Sequence, residues 1–95
     1  MLVSVVVGLL NEEKFLPRLI EDFKNQTYPH NKIELIFIDG MSKDTSWQIL
    51  ENFRQSNHDF YNVVLLKNPK VILSAGMNVG IKAANGECIL KVDCH

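Results

Sequence analysis

The sequence predicts an α/β fold in which helices cover both faces of a parallel sheet of about four strands. Three observations support this prediction: four short runs of aliphatic and β-branched residues, helical apolar spacing between the runs, and their alternation along 95 residues. Strands that alternate with helices form parallel sheets with right-handed crossovers. We expect one domain with the spatial strand order 3-2-1-4, and a ligand crevice where that order reverses.

The four apolar runs differ in character. The first two are almost continuously apolar, which is typical of parallel strands covered on both faces. The predicted strands are residues 2–7, 33–38, 62–66 and 87–92.

Helical spacing indicates three helices between these strands. The first has apolar residues at i, i+3, i+4 and i+7 from Leu16, and it begins near Lys14 because Pro17 must lie in the first turn. The second carries Trp47 on a core-facing stripe and is capped by Ser42 or Asp44. The third runs over residues 74–85 and stops at Gly86.

Composition and charge exclude several classes of protein. The net charge is -1 and no basic block occurs, so neither nucleic acid nor an anionic membrane is an expected partner. The apolar stretch MLVSVVVGLL is too short to span a bilayer, and we interpret it as a buried strand. Cys88 and Cys94, on one strand, are too far apart for a disulfide, which predicts free thiols in a reducing cytosol.

Polar residues collect where the predicted strands end. They are Asn11, Glu12 and Glu13 after the first strand, Asp39 at the end of the second, and Asp93 with His95 at the end of the fourth. Carboxylates gathered in one crevice repel each other unless a cation compensates them. An Asp-x-His at a strand end offers oxygen and nitrogen ligands to Mn²⁺ or Mg²⁺. No G-x-G-x-x-G and no G-x-x-x-x-G-K-[ST] is present, which argues against a dinucleotide dehydrogenase or a P-loop enzyme.

Three segments carry a resemblance to a known family. They are VSVVVGLLNEEKFLPRLIEDFKNQTYP, IELIFIDGMSKDTS and NPKVILSAGMNVGIKAANGECILKVDCH. Their order and spacing resemble the start of family 2 glycosyltransferases, whose fold is the Rossmann-like GT-A half-domain. The Asp-x-His motif at the end of the third segment resembles the corresponding motif of exopolysaccharide glycosyltransferases of the succinoglycan type.

The resemblance implies a role for each residue at the strand ends. Leu9, Leu10, Asn11 and Glu12 after the first strand, together with Asp39, would hold the base and ribose of a nucleoside diphosphate sugar. Asp93 with His95 would hold Mn²⁺ or Mg²⁺ on the diphosphate. The implied reaction is inverting, metal-dependent transfer, with UDP-sugar as the donor and a polysaccharide or lipid-linked acceptor.

The sequence also departs from the family pattern. Gly40 stands where many relatives have a second Asp, which leaves Asp39 to recognise the base. Met77 stands where many have Arg, so a basic contact to the donor would come from elsewhere, for example Lys70. Cys94 replaces a small or acidic residue in the middle of the metal motif.

Plainer interpretations stay open for several of these residues. Asp39 could cap the next helix, and Glu12 and Glu13 could simply begin the first one, because acids favour a first turn. A nucleotidyltransferase would usually carry a Gly-rich basic loop after the first strand, and this loop is missing. A receiver-like regulatory domain would need an Asp after the third strand, where Lys67 and Asn68 stand.

We expect residues 1–95 to be the N-terminal, nucleotide-sugar-binding part of a longer domain, inactive on its own because the catalytic base lies further along the chain. Its fourth strand would lie at an edge of the sheet, and exposed apolar edges recruit other strands. A homodimer that pairs fourth strands is therefore expected. The expected location is the cytoplasm, at the inner face of the cell membrane if the acceptor is lipid-linked.

Overall fold

The computed structural model describes residues 1–69, 81–82 and 84–93, and these form a four-stranded sheet with two helices. The elements in chain order are β1 (Val3–Leu9), α1 (Leu16–Lys24), a 3-10 turn (His30–Lys32), β2 (Ile33–Asp39), α2 (Ser46–Ser56), β3 (Asn62–Lys67) and β4 (Cys88–Asp93).

The predicted topology is confirmed. The strand order is β3-β2-β1-β4, and every neighbouring pair is parallel. The central strands β1 and β2 are buried almost throughout, in keeping with their continuous apolar sequences. β1 extends two residues beyond its predicted end, so Leu9 belongs to the strand rather than to the loop after it.

The main core lies between the sheet and the helices α1 and α2. Leu16, Ile20 and Phe23 of α1, and Leu50 and Phe53 of α2, pack against the inward residues of β1 and β2. Both described helices therefore cover the same face of the sheet. The opposite face buries Val6, Ile36 and Ile38, with Ala84 packed against them.

A buried polar group connects β1, β2 and the segment that leads into β4. Glu34 of β2 is fully buried, and its carboxylate accepts hydrogen bonds from the Ser4 hydroxyl (2.8 Å), the Asn85 backbone N–H (2.9 Å) and the Asn85 side-chain amide (3.0 Å). Hydrogen bonds of this kind offset the cost of removing a carboxylate from water. No sequence pattern pointed to Glu34, because it stands in an otherwise apolar strand.

Gly86 lies directly against β1. Its N–H donates to Ser4 Oγ at 2.8 Å, and a Cβ at this position would come within 2.6 Å of the Ser4 backbone nitrogen. The glycine is therefore required for close approach of two backbones.

The structure shows where the two helices begin. α1 begins at Leu16, two residues after Lys14, and it is preceded by a turn in which the N–H groups of Phe15 and Leu16 both donate to the Glu12 carbonyl. Pro17 does lie in the first helical turn, as predicted. At α2, Thr45 occupies the N-cap position without a side-chain bond. The Asp44 carboxylate accepts a hydrogen bond from the backbone N–H of Ser46 (2.9 Å), the first residue of α2. Of the two predicted capping residues, Asp44 therefore bonds the start of the helix and Ser42 does not.

The third predicted helix, residues 74–85, lies largely outside the described residues. Ile81 and Lys82 are helical, but Ala84 and Asn85 are not, so the helix does not extend to Asn85 as predicted. The reason is that the Asn85 N–H is taken by Glu34 instead of a helical carbonyl. Within the described ranges, no helix has the length and apolar character that crossing a bilayer requires.

Candidate functional site

The carboxyl ends of three strands meet at one edge of the sheet. In the strand register, Leu9 of β1 stands opposite Asp39 of β2, and Gly8 of β1 stands opposite Asp93 of β4. β1 therefore separates the two aspartates by two strand spacings, or about 10 Å. This is the switch point of the sheet, where open α/β folds bind ligands.

Asp39 organises the loop that follows its own strand. Its side chain is only 1% exposed, and Oδ1 accepts from both the backbone N–H (2.9 Å) and the hydroxyl (2.6 Å) of Ser42. It does not cap α2, because Asp44 bonds the N–H of Ser46 there. Contact between Asp39 and a nucleotide stays a prediction.

Asn11 connects the loop after β1 to the loop after β2. It has a positive φ of 52°, a conformation that Asn tolerates better than most residues. Its N–H donates to Ser42 Oγ at 2.8 Å, and its side-chain Oδ1 accepts from the Lys43 N–H at 2.7 Å. The Asn11 side chain thus holds the neighbouring loop.

Glu12 and Glu13 extend this connection. The N–H of Glu12 donates to Ser46 Oγ (3.0 Å), and the N–H of Glu13 donates to Asp44 Oδ2 (3.1 Å). The Glu13 carboxylate accepts in return from the hydroxyl and N–H of Thr45. Glu13 therefore has a structural role, as the plainer interpretation of the sequence expected. It performs this role by joining the two loops and not by beginning α1.

Asp44 is the acid whose environment most clearly alters its titration. Partial burial raises its pKa, but hydrogen bonding by the Ser46 side chain and by the backbone N–H groups of Ser46 and Glu13 outweighs burial and lowers the pKa below its usual value of 3.8. Asp44 is thus held as a carboxylate between the two loops. We call residues 10–15 and 40–45 the paired loops.

Sequence reasoning identified the loop after β1 but missed most of its partners. Ser42, Thr45 and Ser46 bond across to Asn11, Glu13 and Glu12 respectively. A signal was present in the run Ser-Lys-Asp-Thr-Ser, because such residues form side-chain-to-backbone turns. Their long-range partners could not be inferred from that run.

The two leucines of the predicted nucleotide site differ in exposure. Leu9 is 3% exposed and packs in the main core, and its carbonyl accepts from the Gly40 N–H at 2.8 Å. Leu10 is 39% exposed at the start of its loop. Of the two side chains, only that of Leu10 is available to a ligand.

The predicted metal site is only partly described. The backbone of Asp93 ends β4 at the switch point, whereas His95, Cys94 and Lys70 lie outside the described residues. Among the side chains that the structure describes, in residues 1–69, 81–82 and 84–92, no group of three or more His, Cys, Asp or Glu could hold a metal ion. The metal role of Asp93 and His95 stays a prediction.

Trp47 and Lys67 lie together beside the site. Trp47 packs against the main core, which confirms that it is a core residue. The Lys67 ammonium sits 4.5 Å from the centroid of its ring, a cation–π contact. Lys67 stands opposite Asp39 in the register, so it brings a positive charge to this edge of the sheet.

The fold is an open parallel α/β domain with polar residues at the carboxyl ends of its strands, and the sequence profile of Glycosyl transferase family 2 matches residues 4–95. The chain belongs to that family.

The curated relatives and the solved structures similar to this chain are also glycosyltransferases. A Methanococcus voltae dolichyl N-acetyl-alpha-D-glucosaminyl phosphate 3-beta-D-2,3-diacetamido-2,3-dideoxy-beta-D-glucuronosyltransferase is 31% identical over 98% of this chain. The poly(ribitol-phosphate) beta-N-acetylglucosaminyltransferase TarS of Staphylococcus aureus is 32% identical over 95% of it. The crystal structure of TarS 1–349 in complex with UDP covers 99% of the chain with a TM-score of 0.81 and 29% identity. TarS 1–349 has also been solved with UDP-GlcNAc, and that structure gives a TM-score of 0.80.

The chain spans only a minor part of these proteins. It covers 29% of the Methanococcus transferase, 15% of TarS, and 27% of TarS 1–349 as solved with UDP.

Proposed function

We propose that this chain forms the donor-binding part of a glycosyltransferase that uses a nucleoside diphosphate sugar, with UDP as the nucleotide. The observation that supports this most is the register that places Asp39 and Asp93 on either side of β1 at the switch point, in a chain of this family. The TarS structures with UDP and UDP-GlcNAc support the choice of nucleotide. The base and ribose would lie against the paired loops.

A divalent cation, Mn²⁺ or Mg²⁺, is proposed on the diphosphate. Asp93 and His95 supply a carboxylate and an imidazole, donor types that suit Mn²⁺, and the diphosphate oxygens would complete the ligand set. When bound, the cation acts as a Lewis acid that stabilises charge on the leaving nucleoside diphosphate. The Asp93 backbone position at the switch point is consistent with this role.

We propose inverting transfer to a polysaccharide or lipid-linked acceptor for the whole protein. An acceptor hydroxyl would attack the anomeric carbon and break its bond to the diphosphate, releasing the nucleoside diphosphate, while a carboxylate base takes the hydroxyl proton. The relatives support a polymeric or lipid-linked acceptor, since the name of TarS specifies poly(ribitol-phosphate) and that of the Methanococcus transferase specifies a dolichyl phosphate sugar.

Nucleotide binding can be tested on the chain itself. In a thermal-shift panel of UDP, GDP, ADP and CDP, UDP should give the largest stabilisation, since a ligand that binds the folded state raises its melting temperature. Calorimetry with Mn²⁺ or with EDTA then tests the cation. UDP should bind more tightly with Mn²⁺, and Asp93→Ala should remove that difference. Equal affinity with and without Mn²⁺ would exclude the cation role, and no stabilisation by any nucleotide would exclude the donor role.

We also propose that two copies of this chain associate through β4. Among the described strands β4 lies at an edge of the sheet, and Ile89 and Leu90 on its two faces are 39% and 49% exposed. An exposed apolar edge can pair with an identical edge about a two-fold axis.

A further inference from the structure

Met41 has a backbone conformation that methionine rarely adopts. Its φ is 71°, and among the described non-glycine residues only Asn11 shares a positive φ. Asn accepts this region readily, whereas a side chain with a long unbranched stem is disfavoured there. A glycine at position 41 would adopt the same turn at lower cost. Methionine at position 41 therefore carries a local conformational cost that glycine would not.

Core packing does not explain the methionine. The Met41 side chain is 51% exposed and belongs to neither of the two core clusters. Strained residues persist where the surrounding structure fixes them, and they concentrate at ligand sites. Here the flanking bonds from Gly40 to Leu9 and from Ser42 to Asp39 fix the turn.

Met41 and Leu10 lie at corresponding positions of the paired loops. On one side of them, the Gly40 N–H bonds the Leu9 carbonyl at 2.8 Å, and on the other, the Asn11 N–H bonds Ser42 Oγ at 2.8 Å. The two residues between these bonds are both apolar and both exposed, at 39% for Leu10 and 51% for Met41. The turn that carries Met41 is the one ordered by Asp39.

We propose that Met41 is a donor-binding residue that packs its thioether against the flat face of the donor's nucleobase. This inference rests on the proposed function and deepens it. A thioether is flexible and polarisable, and it makes favourable contacts with aromatic rings. The paired loops would thus contact the face of the base with apolar side chains, while polar groups near Asp39 would hydrogen-bond to its edge.

Three substitutions separate binding from backbone strain. Met41→Ala and Met41→Gly both remove the thioether, and each should weaken UDP binding by about three- to tenfold in calorimetry. Only Met41→Gly relieves the positive φ, so it alone should raise the melting temperature, by a few degrees. Met41→Leu keeps an apolar side chain of similar volume and should bind UDP within about twofold of wild type.

A spectroscopic measurement detects the contact directly. The chain has three methionines, Met1, Met41 and Met77, and the Met41 methyl signal is the one lost in Met41→Leu. A nucleobase stacked on the thioether should shift this methyl signal upfield on addition of UDP, through the ring current. Ribose 5-phosphate, which lacks a base, should not cause that shift.

The outcomes distinguish this inference from the proposed function. If wild-type chain binds no UDP, the proposed function fails and the inference fails with it. If wild type binds UDP and Asp39→Ala weakens binding, but Met41→Ala binds as wild type and the Met41 methyl does not shift, the inference alone is overturned. A methyl shift together with weaker binding by both Met41→Ala and Met41→Gly supports it.

Discussion

Asp39 has one role that the structure shows and one that is predicted, and a pair of substitutions can separate them. Ser42→Ala removes the hydroxyl bond to Asp39 but leaves the carboxylate in place. If the carboxylate bonds the nucleotide, Asp39→Ala should weaken UDP binding by about 1–3 kcal/mol, the scale of a lost hydrogen bond to a charged group. Ser42→Ala should cost clearly less. An equal loss of affinity in both variants, measured by calorimetry, would leave Asp39 with only its loop-ordering role.

The lowered pKa of Asp44 predicts a pH dependence of stability. A carboxylate whose folded pKa lies below its unfolded pKa stabilises the fold above the unfolded value, and this contribution is lost as the pH falls through the folded pKa. Urea unfolding at several pH values between 7 and 3 should therefore show wild type more stable than Asp44→Asn at pH 7, with the gap narrowing as the pH falls below about 4.

A matched control for this measurement is Asp59→Asn, at the opposite edge of the sheet in the segment between α2 and β3. It removes one carboxylate without touching the paired loops. A gap between wild type and Asp44→Asn that is constant over the whole pH range would contradict the role assigned to the Asp44 carboxylate.

At the scale of elements, Glu34 determines how the segment before β4 joins the sheet. Glu34→Gln replaces a carboxylate oxygen that accepts from the Asn85 amide with an NH₂ group that cannot accept. We expect a loss of about 1–3 kcal/mol in the free energy of unfolding, because a hydrogen bond to a charged group is lost at the buried position 34 and two NH₂ groups then face each other. Denaturant unfolding measures this loss, and Glu21→Gln on the exposed side of α1 is the control. A loss below about 0.5 kcal/mol for Glu34→Gln would show that Asn85 finds another acceptor.

The sheet could be predicted from the sequence, but the hydrogen bonds between the paired loops at its edge could not. Continuous apolar runs and helical spacing predicted the strands and helices, since both depend on residues close together in the chain, and the alternation of these elements predicted the strand order. The paired loops depend instead on bonds between residues about thirty positions apart, such as Asn11 with Ser42 and Lys43. Nothing in either loop's own sequence specifies such a partner. The buried Glu34 was missed for the same reason, because Ser4 and Asn85 are remote from it in the sequence.

At the scale of the whole molecule, the proposed pairing of β4 strands predicts that association depends on concentration. Sedimentation velocity should show an increasing fraction of dimer as the protein concentration rises. Leu90→Lys places a charge on the exposed edge strand and should reduce that fraction, because charged side chains on edges oppose strand pairing. Phe15→Lys, at a similarly exposed apolar position in the segment between β1 and α1, is the control and should leave association unchanged. A monomer at every concentration would rule out the dimer.

The central claim is that a nucleotide binds at the paired loops, and amide mapping by NMR during a UDP titration tests it most directly. The opposite edge of the sheet is a useful comparison, because His30 stacks on Phe60 there and Lys24 lines the same pocket, an alternative place for a planar anion. UDP should shift the amide signals of residues 9–13 and 39–45, while those of residues 56–60 stay in place. Shifts confined to residues 24–30 and 56–60, or no shifts at saturating UDP, would contradict it.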